Sequence, residues 1–204
     1  MEKFYLEEPS QERKKDILDY LNEFVLYNSD VNGAGALDKI LSGQSFEEAL
    51  DRCLNMKNEE YAKKYGRCQS KTFLLIRKND NKLIGMINVR WNLTEEMKRF
   101  GGNIGYGIRP TERRKGYNKI NLYLALEKAK NINLNKVLLT ADDSNIGSVK
   151  TILSLGGKLE NKIFSYENNN VLMGRYWIDV NKSLDKYFNS YKNKMYRREW
   201  YESN

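Results

Sequence analysis

The chain has 204 residues, 40% hydrophobic and 12% aromatic, enough to bury a sizeable core, with a formal net charge of +8 and no histidine. The missing histidine excludes Ser-His and Cys-His nucleophilic arrangements, and two cysteines, Cys53 and Cys68, are too few for a zinc site or a disulfide framework. No apolar run reaches membrane-spanning length and the opening residues lack a secretory signal, so a soluble, cytoplasmic protein with no membrane partner is expected, its basic character favouring an anionic ligand.

Residues 11 to 28 place Ile17, Leu21, Phe24 and Val25 at helical spacing, with Ser10 as N-cap. Val31-Asn32-Gly33-Ala34-Gly35 breaks that helix, and the capping box Ser45-Phe46-Glu47-Glu48 opens a second one through about Lys64. Two helices are therefore expected before any strand. KTFLLIRKND and NKLIGMINVRW then read as an antiparallel hairpin turning at Asn79-Asp80-Asn81, followed by a loop or short helix over 92 to 100.

Gly102 to Arg109 supply the next strand, stopped by Pro110, and a helix runs from Gly116 to about Asn131. A short buried strand (136 to 141) and a helix from Asn145 to Leu155, ended by Gly156-Gly157, come next. The last ladder elements are IFSYE and VLMGRYWIDV, joined by Asn168-Asn169-Asn170. Leu184, Tyr187, Phe188, Tyr191 and Met195 then share one face of a docked tail helix.

The stretch from Gly105 to Asn118, GYGIRPTERRKGYN, sets a strand, a tight basic loop and a helix N-terminus in succession. Unpaired amides in a first helical turn, aided by the helix dipole, can hold a pyrophosphate, and Gly116 allows close backbone approach. Arg113, Arg114, Lys115 and Tyr117 stand at the same point. The P-loop pattern is absent and the GxGxxG spacing fails.

The loop instead resembles the pyrophosphate motif of the GNAT acetyltransferase superfamily: Arg or Gln, two residues, Gly, one residue, Gly or Ala. It maps to Arg113, Gly116 and Asn118, matching at the first two positions and departing at the third. The element order fits as well over roughly residues 71 to 178. GGNIGY, IRPTERRKGY, KTILSLGGKLEN and GRYWI resemble a little-characterised bacterial branch of such acetyltransferases.

The resemblance implies an α+β (mixed α/β) fold with a central mixed, mostly antiparallel sheet flanked by helices, its splayed strand pair binding CoA. One acetyltransferase-like domain is expected over 1 to 181, with a tail helix over 182 to 204. Ile108 and Arg109 fall where the pantetheine arm adds to the opened strand, and Asn145 resembles the family's pantetheine-contacting Asn.

The implied activity is acetyl transfer from acetyl-CoA to a primary amine of a small molecule or protein, by direct attack. The tyrosine acid that many members carry seven residues after the Asn is Ile152 here, but Ser148 matches the serine used in the branch that acetylates ribosomal-protein N-termini. Asn103 stands where that branch has its glutamate base, and is assigned as a water holder; a relay to Glu95 or Glu96 or an amine that arrives neutral are the alternatives. Tyr106 is kept as a third candidate at the reaction centre; Tyr176 and Trp177 read as core.

Two other readings stay open. One is a diverged CoA-binding sensor or scaffold. The other, less favoured, is a nucleic-acid-binding protein using the basic aromatic tail, Lys192, Lys194, Arg197, Arg198, Trp200 and Tyr201. The resemblance also admits a homodimer.

Overall fold

The computed structural model describes residues 1–165 and 171–196. It opens with a strand, β1 (Phe4–Glu7), ahead of the helices, against the expected order. Four residues are too few for an alternation to register in sequence. Helix α1 (Lys14–Leu26) buries Ile17, Tyr20, Leu21 and Phe24 along one face, entered through a 3-10 turn over Gln11–Arg13 at which Ser10 makes no side-chain cap bond.

The expected break holds over residues 31–34, and a 3-10 helix follows it from Gly35 to Ser42. Ser45 and Glu48 form the capping box of α2 (Phe46–Asn55), and Asn58 caps a separate α3 (Glu59–Lys64), so the single second helix is two.

Strands β2 (Gln69–Arg77) and β3 (Lys82–Trp91) form the hairpin, and β4 (Ile104–Ile108) follows. Together with β1 they build an antiparallel sheet in the order β1-β2-β3-β4. After α4 (Tyr117–Lys130) come β5 (Lys136–Asp142), α5 (Ile146–Ser154), β6 (Lys158–Ser165) and β7 (Val171–Asp179). These last strands make a second antiparallel sheet ordered β5-β7-β6.

The tail helix, α6 (Val180–Tyr191), starts directly at the end of β7 and buries Leu184 and Tyr191, with Tyr191 stacked on Tyr123 of α4. The turn at Asn168-Asn169-Asn170 and the tail residues Arg197, Arg198, Trp200 and Tyr201 lie outside the described residues.

Alternation along β2 and β3 sends Phe73, Leu75, Ile87 and Val89 to a core shared with α4, α5 and α6, and Leu74, Ile76 and Met86 to a second core under α1 and α2. Helices thus cover both faces. Cys53 and Cys68 are buried, free thiols, and burial pushes the Cys53 thiol up to about 11. No described helix is long and apolar enough to cross a membrane.

Candidate active site

The two sheets part between β4 and β5. They touch at one end through an isolated bridge between Gly102 and Leu139 and a bond from the Asn103 amide to the Leu138 carbonyl (2.7 Å). Beyond Asn103, β4 pairs with β3 and β5 with β7, which opens a wedge. Gly102 is demanded at its apex: its φ is +68°, and a Cβ there would stand 2.4 Å from the Leu138 carbonyl oxygen.

Asn103 closes the apex. Its Nδ2 donates to the Arg90 carbonyl (3.0 Å) and its Oδ1 accepts from the Leu138 amide (2.8 Å), with the residue buried. The water-holding role assigned from sequence is corrected accordingly: both ends of the amide are spent on backbone, and the side chain is a clasp between sheets.

Just before the apex, where a loop or short helix was expected, the chain makes a single π turn over Met97–Gly101. Side chains from both sheets hold its carbonyls. Arg90 Nη1 reaches those of Gly101 and Gly102 (3.3 Å each), Thr140 that of Phe100 (2.8 Å) and Arg175 that of Lys98 (3.1 Å).

Within the wedge, the Tyr106 hydroxyl on β4 lies 2.8 Å from the Ser148 Oγ on α5. Burial pushes the Tyr106 phenol up to about 12, with the Ser148 bond acting the other way, so the tyrosine is protonated at neutral pH. Asn145 is the N-cap of α5, its Oδ1 accepting from the Ser148 amide (3.0 Å).

At the open end of β4 the basic loop turns into α4. Gly116 is the N-cap with φ +80°, no side chain caps the helix, and a Cβ at Gly116 would meet nothing within 4 Å. Among the described residues, the amides of Arg114, Lys115 and Gly116 find no backbone acceptor. Uncapped amides facing open space fit a pyrophosphate.

The side chains beside those amides are largely committed elsewhere. Arg113 donates to the Ile108 carbonyl (3.0 Å) and to Ser29 (2.8 Å), and Lys115 pairs with Glu112 (2.8 Å). Arg109 pairs with Glu23 (3.4 Å), and the Tyr117 hydroxyl donates to Glu2 while its ring packs on Phe4. Asn118 turns along its own helix toward Asn121 (3.5 Å). Arg114, at φ +63°, is the loop cation without a partner among the described residues.

Three residues that shape this site carry no local sequence signal. Glu112 is buried and receives Arg77 (3.2 Å), Lys82 (2.8 Å) and Lys115; burial alone would raise its carboxyl, yet the bonds from Lys115, Lys82 and Arg77 draw it down to about 2. Glu23 of α1 accepts from the amide and hydroxyl of Thr111 (2.8 Å each), which ties the loop to the first helix. Arg90 is the third.

Antiparallel sheets that part beside an uncapped, basic strand-to-helix loop are the layout that the sequence resemblance implies for an acetyltransferase. A model of the acetyltransferase (GNAT) domain matches residues 13–158, more than half of the sequence, and the chain belongs to that family of acetyl-CoA-using N-acetyltransferases.

Solved structures show the same fold. Ribosomal-protein-S5-alanine acetyltransferase from Vibrio fischeri is similar at a TM-score of 0.62 and 16% identity, over 86% of this chain and 93% of that one. Spermidine N-acetyltransferase from Vibrio cholerae, in complex with CoA and spermine, is similar at 0.59 and 17%, over 89% and 98%. A GNAT-family acetyltransferase from Bacillus anthracis is similar at 0.57 and 15%, over 88% and 96%. No curated protein sequence matches.

Proposed function

We propose that this chain transfers acetyl from acetyl-CoA directly to a primary amine of a small molecule or protein. The observation that carries the reading is the Tyr106–Ser148 hydroxyl pair, which joins β4 to α5 on the strand that leads into the uncapped start of α4. The amides from Arg114 to Asn118 take the pyrophosphate, with the α4 dipole and Arg114 adding positive potential. The edge of β4 that faces away from β3, near Ile108 and Arg109, takes the pantetheine arm as an added strand, with Arg113 moving off the Ile108 carbonyl. Asn145 keeps its Nδ2 for a pantetheine carbonyl.

The neutral amine attacks the thioester carbon, a C–N bond forms, and collapse of the tetrahedral intermediate breaks the C–S bond and leaves the electron pair on sulfur. Tyr106, protonated, donates to the Ser148 Oγ, which frees the serine proton for the departing thiolate. The amine gives its surplus proton to water, and water returns one to the Tyr106 oxygen, which restores the phenol.

A CoA-binding module without turnover is the second reading. It is favoured by Asn103, which is spent on backbone at the position where the resemblance implies a glutamate base.

Calorimetric titration with acetyl-CoA tests the donor site: the native chain binds, and Gly116→Asp weakens binding at least about tenfold because a carboxylate then faces the pyrophosphate. Absence of native binding would overturn both readings. Thiol release across an amine panel separates them, and Ser148→Ala lowers kcat by about 10- to 100-fold at unchanged acetyl-CoA affinity. Unchanged turnover in that variant removes the serine from the mechanism.

A further inference from the structure

Arg90 differs from four other largely buried arginines. Arg13, Arg77, Arg109 and Arg175 each face a carboxylate within 4 Å. Arg90 makes no ion pair among the described residues, although it is partly buried at the apex of the wedge and burial disfavours its charge. Arg67, of the same sign, disfavours its charge further. A desolvated cation without a counterion is costly unless something else supplies the negative charge.

The guanidinium is only partly used. Nε donates to the Asn88 Oδ1 (2.7 Å) and Nη1 to two carbonyls of the turn. Nη2 has no partner among the described residues and lies over Gly105, 2.7 Å from where a Cβ would be. Any larger residue at 105 would displace it.

The position bears on the reaction. Alternation on β4 turns Ile104, Tyr106 and Ile108 to the α4 and α5 side, where the donor's loop and the Tyr106–Ser148 pair lie, and turns Gly105 to the other face. Asn32 and Gly33 close against β4 between Gly105 and Gly107, so a donor held on the α4 side leaves the nucleophile the end of that face at Arg90, and Gly105 is one residue from Tyr106. We propose that Arg90 is a specificity-determining residue whose Nη2 receives an anionic group on the acceptor, so that preferred acceptors are amines bearing a nearby carboxylate. The inference rests on the acetyltransferase reading and names its substrate class. Polyamines are disfavoured, since they would meet two like charges at Arg90 and Arg67.

The test uses glycine, β-alanine and γ-aminobutyrate, each against its own carboxamide, with spermidine as a wholly cationic acceptor. The full chain prefers at least one carboxylate over its amide by about tenfold or more in kcat/KM and ranks spermidine below it. In Arg90→Gln that ratio collapses toward one, whereas loss of the turn's support alone would lower both members of a pair together. Arg90→Lys retains part of the ratio, and the exposed Arg67→Gln lowers it a few-fold, which keeps the test available if Arg90→Gln fails to fold.

Equal use of acids and amides by the native chain, or a ratio that survives Arg90→Gln, would overturn the inference while leaving acetyl transfer intact. If no amine turns over, the functional reading fails. Calorimetry of N-acetyl-β-alanine against its amide into the CoA-saturated protein then decides the Arg90 site, with equal affinities overturning it.

Discussion

Glu112 sits in the turn after β4 with its carboxylate buried beneath Arg77, Lys82 and Lys115. Its carboxyl is drawn down to about 2, so its contribution to stability is complete above the ordinary carboxylate range and is lost as pH falls from there toward 2. The linked free energy is at most about 3 kcal/mol, since each pK unit is worth 1.36 kcal/mol. In denaturant titrations Glu112→Gln should lose about 2–3 kcal/mol at pH 7, and the gap to the native chain should narrow steadily below about pH 4.5. A gap that stays constant down to pH 2 would show the carboxylate to be unpaired. Of its partners only Lys115 is near in sequence, because Arg77 and Lys82 lie 35 and 30 residues away and meet it only once β2, β3 and the loop are assembled. Gly116 and Ser148 were legible for the opposite reason: what makes them notable lies within six residues of each.

At the scale of elements, the hairpin, the capping box and the strand–loop–helix unit follow from local patterns, and the structure has all three. β1 and the π turn do not. The first is too short to alternate, and the second is shaped by side chains arriving from β3, β5 and β7. The Asn103 clasp belongs with them, since its partners Arg90 and Leu138 come from different sheets. Asn103→Ala strips both bonds and leaves the Leu138 amide buried without an acceptor, a loss of about 2–3 kcal/mol. For a chain of this length that lowers Tm by roughly 5–10 °C, readable by calorimetric melting. An unchanged Tm would mean that water replaces the side chain at the apex.

Across the whole molecule, the net charge of +8 suggested an anionic ligand without choosing which one. The structure distributes much of that charge into pairs, and the basic residues of the donor loop are the clearest case. Arg109, Arg113 and Lys115 are tied to Glu23, Ser29 and Glu112, so the donor site proposed above leaves the pyrophosphate chiefly to neutral amides and Arg114. The arrangement bears on how the catalytic cycle ends. Spent CoA carries the same pyrophosphate as the fresh donor, and whatever grips that group grips both equally, lowering KM without speeding chemistry. A loop whose cations are held back within the protein gives up some tightness at the start of the cycle and gains a product that departs quickly at its close.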